Sequence, residues 1–197
     1  MTGQGTGHGA VALGSFEDTI VIKTERMREV EIEADAKTAR VEAGVLALEL
    51  GEAATEHGLC ALPGSAIDVG VIGFATGGGL GWLGRRHGFA CNRVNAIELV
   101  TADGEQRRVD ADNDPDLFWA FRGGGGGYAI ITALRLDLLP ISEVYGGSLI
   151  LPAELGADAV RAYRDWAEAV PDEITSGLRF LHLPPIPTSP SRSATGP

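Results

Sequence analysis

The sequence predicts an α+β chain, and three observations carry that prediction. Short β-branched runs recur through residues 1–140, parted by turn-forming stretches and not by long crossover helices. Only a few segments hold apolar residues at helical spacing. Glycine is the one composition outlier, with 28 among 197 residues against an ordinary share of roughly 7%. The glycines gather in three loops, more than turns alone require, which points to a large ligand gripped by main chain.

The opening stretch, MTGQGTGHGAVA, reads as a glycine loop. Residues 19–23, 30–33 and 39–43 read as strands, the last two separated by the turn-like ADAKT. Residues 45–57 read as an amphipathic helix with Leu46, Leu50, Ala53 and Ala54 on one face and Gly58 as its stop. A glycine-broken segment follows over 63–88. Residues 94–101 (VNAIELVT) form a strong strand pattern, and Ala102-Asp103-Gly104 is a hairpin signal leading into 106–109. Residues 114–122 read as a short helix capped by Asn113 or Asp114, with Pro115 in its first turn. Phe118, Trp119 and Trp82 read as core, and Cys60 and Cys91 as small packed hydrophobes. After five glycines, Gly123 to Gly127, residues 128–136 read as a buried strand.

Beyond a boundary near Pro140, residues 145–151 and 175–183 read as strands around a helix over 152–169, with Ala159, Tyr163, Trp166 and Ala167 at helical spacing. Residues 184–197 hold five of the ten prolines and read as a disordered tail. The expected domains are therefore 1–140, 141–183 and the tail.

A net charge of −11 argues against nucleic acid or an anionic membrane as partner. No apolar run approaches the roughly 18–20 residues of a spanning helix, and no signal segment opens the chain. Two cysteines exclude a disulfide scaffold and a cysteine-based zinc site, so no metal is expected. A cytoplasmic location is the expectation.

The glycine loops suggest a nucleotide. A Walker loop is excluded, because no glycine run precedes Gly-Lys-Ser/Thr. Gly79-Leu80-Gly81-Trp82-Leu83-Gly84 satisfies GxGxxG, and Asp103 stands near the place of a ribose-binding acid, so a nicotinamide Rossmann enzyme stays open as the alternative. The nine residues RRHGFACNR before Val94 are few for a crossover helix, since a βαβ unit takes roughly 30 residues. A non-functional gene fragment is the other alternative.

Taken in order, TGHG, EAG, PGSAIDVGVIGFATGGGLGWLGRRHG, NAIELVTADG and DPDLFWAFRGGGGGYAIIT resemble the FAD-binding domain of vanillyl-alcohol-oxidase-type (PCMH-type) flavoproteins. Within that group the resemblance is nearest to the berberine-bridge-enzyme-like FAD-linked oxidases, and it runs from about Gly5 to Pro140. It implies an FAD-binding fold of two α+β subdomains, incomplete here, with the start of a substrate domain after it. It also implies a chain cut at both ends. By resemblance, Gly5, Thr6, Gly7, His8 and Gly9 form one cofactor loop. Ser65, Asp68, Val69, Gly70, Gly73, Gly77, Gly78 and Gly79 form a second. Gly123 to Ile130 lie beside the adenosine end, with Ala129 where the family usually has glycine. His8 matches the histidine that is joined covalently to the flavin in many members. A second bond through cysteine is not expected, because Ala66 and Ile67 occupy that place. Arg85, Arg86 and His87 form a cationic spot that is as readily a solvated turn as a cofactor contact. The implied chemistry is hydride transfer from a small organic substrate to flavin and then to oxygen. The resemblance assigns no catalytic base, and Tyr128, Tyr145 and Tyr163 carry no such role.

Overall fold

A computed structural model of the protein describes residues 1–62 and 64–181. The tail expected at 184–197 and the last two positions of the strand expected at 175–183 lie outside these residues. The described chain divides into two compact units, one of residues 1–147 with 171–175 and one of 148–170 with the residues from 176 onward.

The first unit is built on strands β1 (Thr2–Gln4), β2 (Val21–Lys23), β3 (Val30–Glu33), β4 (Thr38–Glu42), β5 (Val94–Val100), β6 (Gln106–Asp110) and β7 (Ile130–Asp137), with helices α1 (Ala47–Thr55), α2 (Val71–Thr76), α3 (Gly84–His87) and α4 (Pro115–Gly124). β3 to β7 form one sheet in the order β3-β4-β7-β5-β6, and every neighbouring pair is antiparallel. Strand alternation puts Val41, Leu134, Ile97 and Val109 on one face, because they pair across the sheet in register. α1 covers the β4 side of that face through Leu50 and Ala54, which join Ala39, Val41 and Leu136. α2 and α4 cover the β5 side through Ile72, Ala75, Phe118 and Phe121, which join Ile97, Leu99 and Leu134. The opposite face carries charge. Arg40 reaches across to Glu98 with Nε–Oε1 at 2.9 Å and Nη2–Oε2 at 2.8 Å, a two-pronged pair. A bulge lies between Val94 and Ala96, and at it Asn95 donates to Asp137 at 2.8 Å.

β1 and β2 pair separately and in parallel. The strand at Thr2–Gln4 was not expected, because TGQ holds no apolar or β-branched run; its pairing with Val21–Lys23 makes it a strand. The GxGxxG segment has helix α2 before it and only the four-residue α3 after it. The five-stranded sheet is antiparallel and the GxGxxG segment follows a helix and not a strand, so a Rossmann site there is overturned.

Other expectations are corrected by partner geometry. Trp119 is 77% exposed and Trp82 is half exposed, so neither belongs to the core. α4 buries Phe118 and Phe121, three residues apart on one face, and the residue next to Phe118 points away from it. Asp114 does sit before α4, but in a left-handed conformation with no side-chain cap, and Asn113 bonds the Arg108 carbonyl.

In the second unit, helix α5 (Gly156–Ala169) follows a short 3₁₀ turn at Ala153–Leu155, and none of its residues is buried. Tyr163 contacts Ser176 at 3.0 Å and stacks obliquely near Trp166. Residues 145–151 and 175–181 form no strands. Their alternating pattern has no neighbouring strand among the described residues to complete it.

Candidate functional site

One large cleft lies in the first unit, with a volume of about 760 Å³. That is within the roughly 300–1,000 Å³ of small-molecule and cofactor sites. Three stretches distant in sequence build it. The first is the loop after β1, the second is Val69 with α2 and the glycines behind it, and the third is Gly125–Gly126 with the start of β7.

Backbone and side-chain bonds hold these stretches together. Thr24 donates its backbone N–H to the Gln4 carbonyl at 3.1 Å and its hydroxyl to the Ala43 carbonyl at 2.8 Å. Gly44 allows the chain to pass there, since a Cβ on it would lie 2.3 Å from the Thr24 carbonyl oxygen. The first loop meets the second where Gly70 N–H donates to Thr6 Oγ1 at 3.3 Å. The third is fastened to the end of α2 by Gly125 N–H on the Thr76 carbonyl, 3.1 Å. Gly79 adopts φ +72, and its carbonyl accepts from Ala90 N–H at 2.9 Å.

The wall is largely bare main chain. A Cβ built on Gly9, Gly73 or Gly126 would meet no protein atom within 4 Å. Packing does not require glycine at these positions, and all three line the cleft. No Lys, Arg, Asp or Glu lines the cleft among the described residues, and His8 is its one titratable group. The Thr24 and Thr76 hydroxyls already donate to carbonyls. The other polar side chains that line the cleft are Thr2, Gln4, Thr6 and His8. Phe16, Ile72, Phe74 and Leu80 supply apolar surface. The donor set suits a long, mixed ligand whose anionic part is held by main-chain N–H groups and not by fixed cations.

Of the residues picked out in the sequence, Gly5, Thr6, Gly7, His8, Gly9, Val69, Gly70, Gly73, Gly77 and Gly79 line this cleft. Ser65, Asp68, Gly78 and Ile130 do not. Gly78 turns its carbonyl to Cys91 N–H at 3.0 Å, and Ile130 stands behind Gly3. Asp68 lies at the rim, with Oδ1 3.5 Å from His8 Nε2. Thr24 and Phe16 line the cleft without a signal of their own in the sequence, and Ala43, from the EAG motif, lines it although no cofactor role was assigned to it. Arg85 and Arg86 pair with Asp172 and Glu173, each at 3.2 Å, away from the cleft. His87 is held below the ordinary imidazole range, first by desolvation and then by Arg86 and Arg93. Cys91 is buried, and Cys60 lines a separate apolar cavity of about 80 Å³. Burial pushes the Cys60 thiol up. No cysteine reaches the cleft.

Sequence and structure comparisons agree with this geometry. Residues 1–110 match the FAD binding domain family, and the chain belongs to it. An uncharacterized FAD-linked oxidoreductase of Bacillus subtilis, YgaK, is 32% identical over 166 residues, covering 82% of this chain and 37% of that protein. The crystal structure of 6-hydroxy-D-nicotine oxidase from Arthrobacter nicotinovorans superposes with a TM-score of 0.66 at 31% identity, over 70% of this chain and 30% of that one. Glucooligosaccharide oxidase from Acremonium strictum, which carries a 6-S-cysteinyl, 8α-N1-histidyl FAD, gives 0.60 at 30% identity, over 70% and 29%. The chain thus spans little more than a third of the curated relative and less than a third of the two solved proteins. Its fold is that of the vanillyl-alcohol-oxidase-type FAD proteins, and its cofactor is FAD. The cleft fits that group in volume, in its glycine wall and in its lack of fixed charge.

Proposed function

We propose that this chain is the FAD-holding portion of an FAD-linked oxidoreductase of the berberine-bridge-like branch, which passes hydride from a small organic substrate to flavin and then to oxygen. The observation that carries this reading is the cleft itself, a glycine wall assembled from three separated stretches with space where side chains would otherwise stand. When bound, the flavin supplies the two-electron redox chemistry, and the protein supplies binding, orientation and electrostatics.

The residues divide that work. Gly5, Gly7 and Gly9 on one side and Gly70, Gly73 and Gly77 on the other present main chain to the cofactor. Thr6 bridges the two loops and fixes their spacing. Phe16, Ile72 and Leu80 exclude water from the apolar part of the cleft. His8 is the point we assign to covalent attachment, because it is the cleft's one ionisable side chain and is accessible at the loop's tip. Ala66 and Ile67 offer no thiol, so a single histidyl bond is expected.

The test is the colour of the purified chain. Its visible spectrum is recorded, the protein is precipitated in acid, and flavin fluorescence is sought in the denatured band. Flavin that stays with wild type and is released from His8→Ala supports both the site and the attachment. Flavin released from wild type removes the bond but keeps the site. A folded chain that takes up no FAD on reconstitution refutes the function.

A further inference from the structure

Asp68 stands outside the cleft wall, yet it is the acidic side chain paired with His8. Its Oδ1 lies 3.5 Å from His8 Nε2, with the two side chains 70% and 46% exposed. The loops that carry the two side chains are joined through backbone groups. Two residues before His8, Thr6 Oγ1 accepts the N–H of Gly70, two residues after Asp68. Gly70 backs onto Thr6, with a Cβ on it falling 3.7 Å from the Thr6 side chain. Val69 is anchored from the other side, since its carbonyl accepts Ala47 N–H at 2.9 Å. The loop that carries Asp68 is therefore fixed against the loop that carries His8.

We propose that Asp68 is a positioning residue for His8. Its carboxylate holds Nε2–H at the rim and thereby turns Nδ1, with its lone pair, toward the cleft. The role rests on the reading that His8 bonds the flavin. In that bond, Nδ1 joins the methyl carbon of the flavin ring. One methyl C–H and the Nε2–H break, both protons leave, and the Nε2 proton departs on the side where Asp68 meets solvent. The two electrons enter the flavin, and oxygen takes them up as peroxide. Asp68 forms no covalent bond.

The test compares wild type with Asp68→Ala and Asp68→Glu. FAD is added to the flavin-free chain and acid-stable flavin is followed with time. An exposed pair supports roughly a fivefold effect on that rate. Asp68→Ala should slow attachment by about that factor, Asp68→Glu should recover most of it, and reversible FAD affinity in a His8→Ala background should be unchanged by either. The His8 imidazole resonances of the flavin-free chain, read by NMR, should shift in Asp68→Ala. Wild-type attachment rate in Asp68→Ala overturns the positioning role while leaving His8 attachment intact. Unshifted His8 resonances overturn it as well. Wild type that binds FAD but forms no acid-stable flavin overturns the attachment reading, and with it the role given to Asp68.

Discussion

Gly73 offers a way to set fold stability against cofactor binding at a single methyl. It lies inside α2, and a Cβ placed on it meets nothing within 4 Å, although the residue lines the cleft. Glycine inside a helix costs about 0.5–1 kcal/mol relative to alanine. Gly73→Ala should therefore stabilise the flavin-free chain by that amount, raising Tm by roughly 1–4 °C for a chain of this size. Because the residue lines the cleft, the same methyl is expected to take up space assigned to FAD. Overfilling a packed site costs about 1–3 kcal/mol, which converts to FAD binding weaker by roughly five- to 150-fold. The assays are a thermal melt without flavin and a fluorescence titration with FAD, the latter in a His8→Ala background so that binding is reversible. A lower Tm would refute the open environment of residue 73. Unchanged affinity would show that α2 does not face the cofactor.

Other substitutions probe the frame around the cleft. Gly79→Ala should destabilise by about 2–4 kcal/mol, because the residue holds φ +72 and the new Cβ would lie 2.6 Å from Ala90 Cβ; a melt showing less than a degree of change would refute this. Phe121→Ala removes the largest fully buried side chain and its edge-on contact with Tyr128, centroids 5.4 Å apart. The expected cost is about 3–5 kcal/mol, read from the urea midpoint. Glu98 is held below the usual carboxylate range, chiefly by its hydrogen bonds from Arg40. A depressed carboxylate stabilises the fold above its unfolded value of 4.5, and that share is lost as pH falls through the folded value. Both side chains are partly exposed, so Glu98→Gln should cost up to about 1 kcal/mol at pH 7. The difference from wild type should begin to shrink below 4.5 and vanish only below the depressed folded value, checked by urea midpoints across pH.

Local signals were legible where local chemistry decides structure. Asp103-Gly104 between two alternating runs announced the β5–β6 hairpin, and Gly58 marked the stop of the α1 region. Pairing was not legible. Thr2–Gln4 is a strand only because Val21–Lys23 lies beside it, whereas residues 145–151 have the pattern and no partner among the described residues. In α4 the apolar content was visible, but the helix phase that buries Phe121 and exposes Trp119 depends on where the sheet stands. At the site, the glycine loops could be read as a nucleotide grip and, by resemblance, as an FAD site. The meeting of His8 with Asp68 could not, because the two stand 60 positions apart and the contact of their loops, marked by the Thr6–Gly70 bond, is tertiary.

The order of the sheet has a consequence for how the protein is made. β7 is the last strand of the sheet in sequence and the middle one in space, paired with β4 on one side and β5 on the other. As the polypeptide grows from its N-terminus, β4 and β5 each wait with an open edge for a neighbour not yet synthesised. The pairing joins Thr38 to Asp137 and Glu42 to Ala133, distant contacts of the kind that close slowly. Gly125, Gly126, Ala129 and Ile131 lie in or just before β7, so the cleft wall is completed by the same stretch of chain that closes the sheet. A polypeptide ended before Ile130 would lose the centre of its sheet, not an edge.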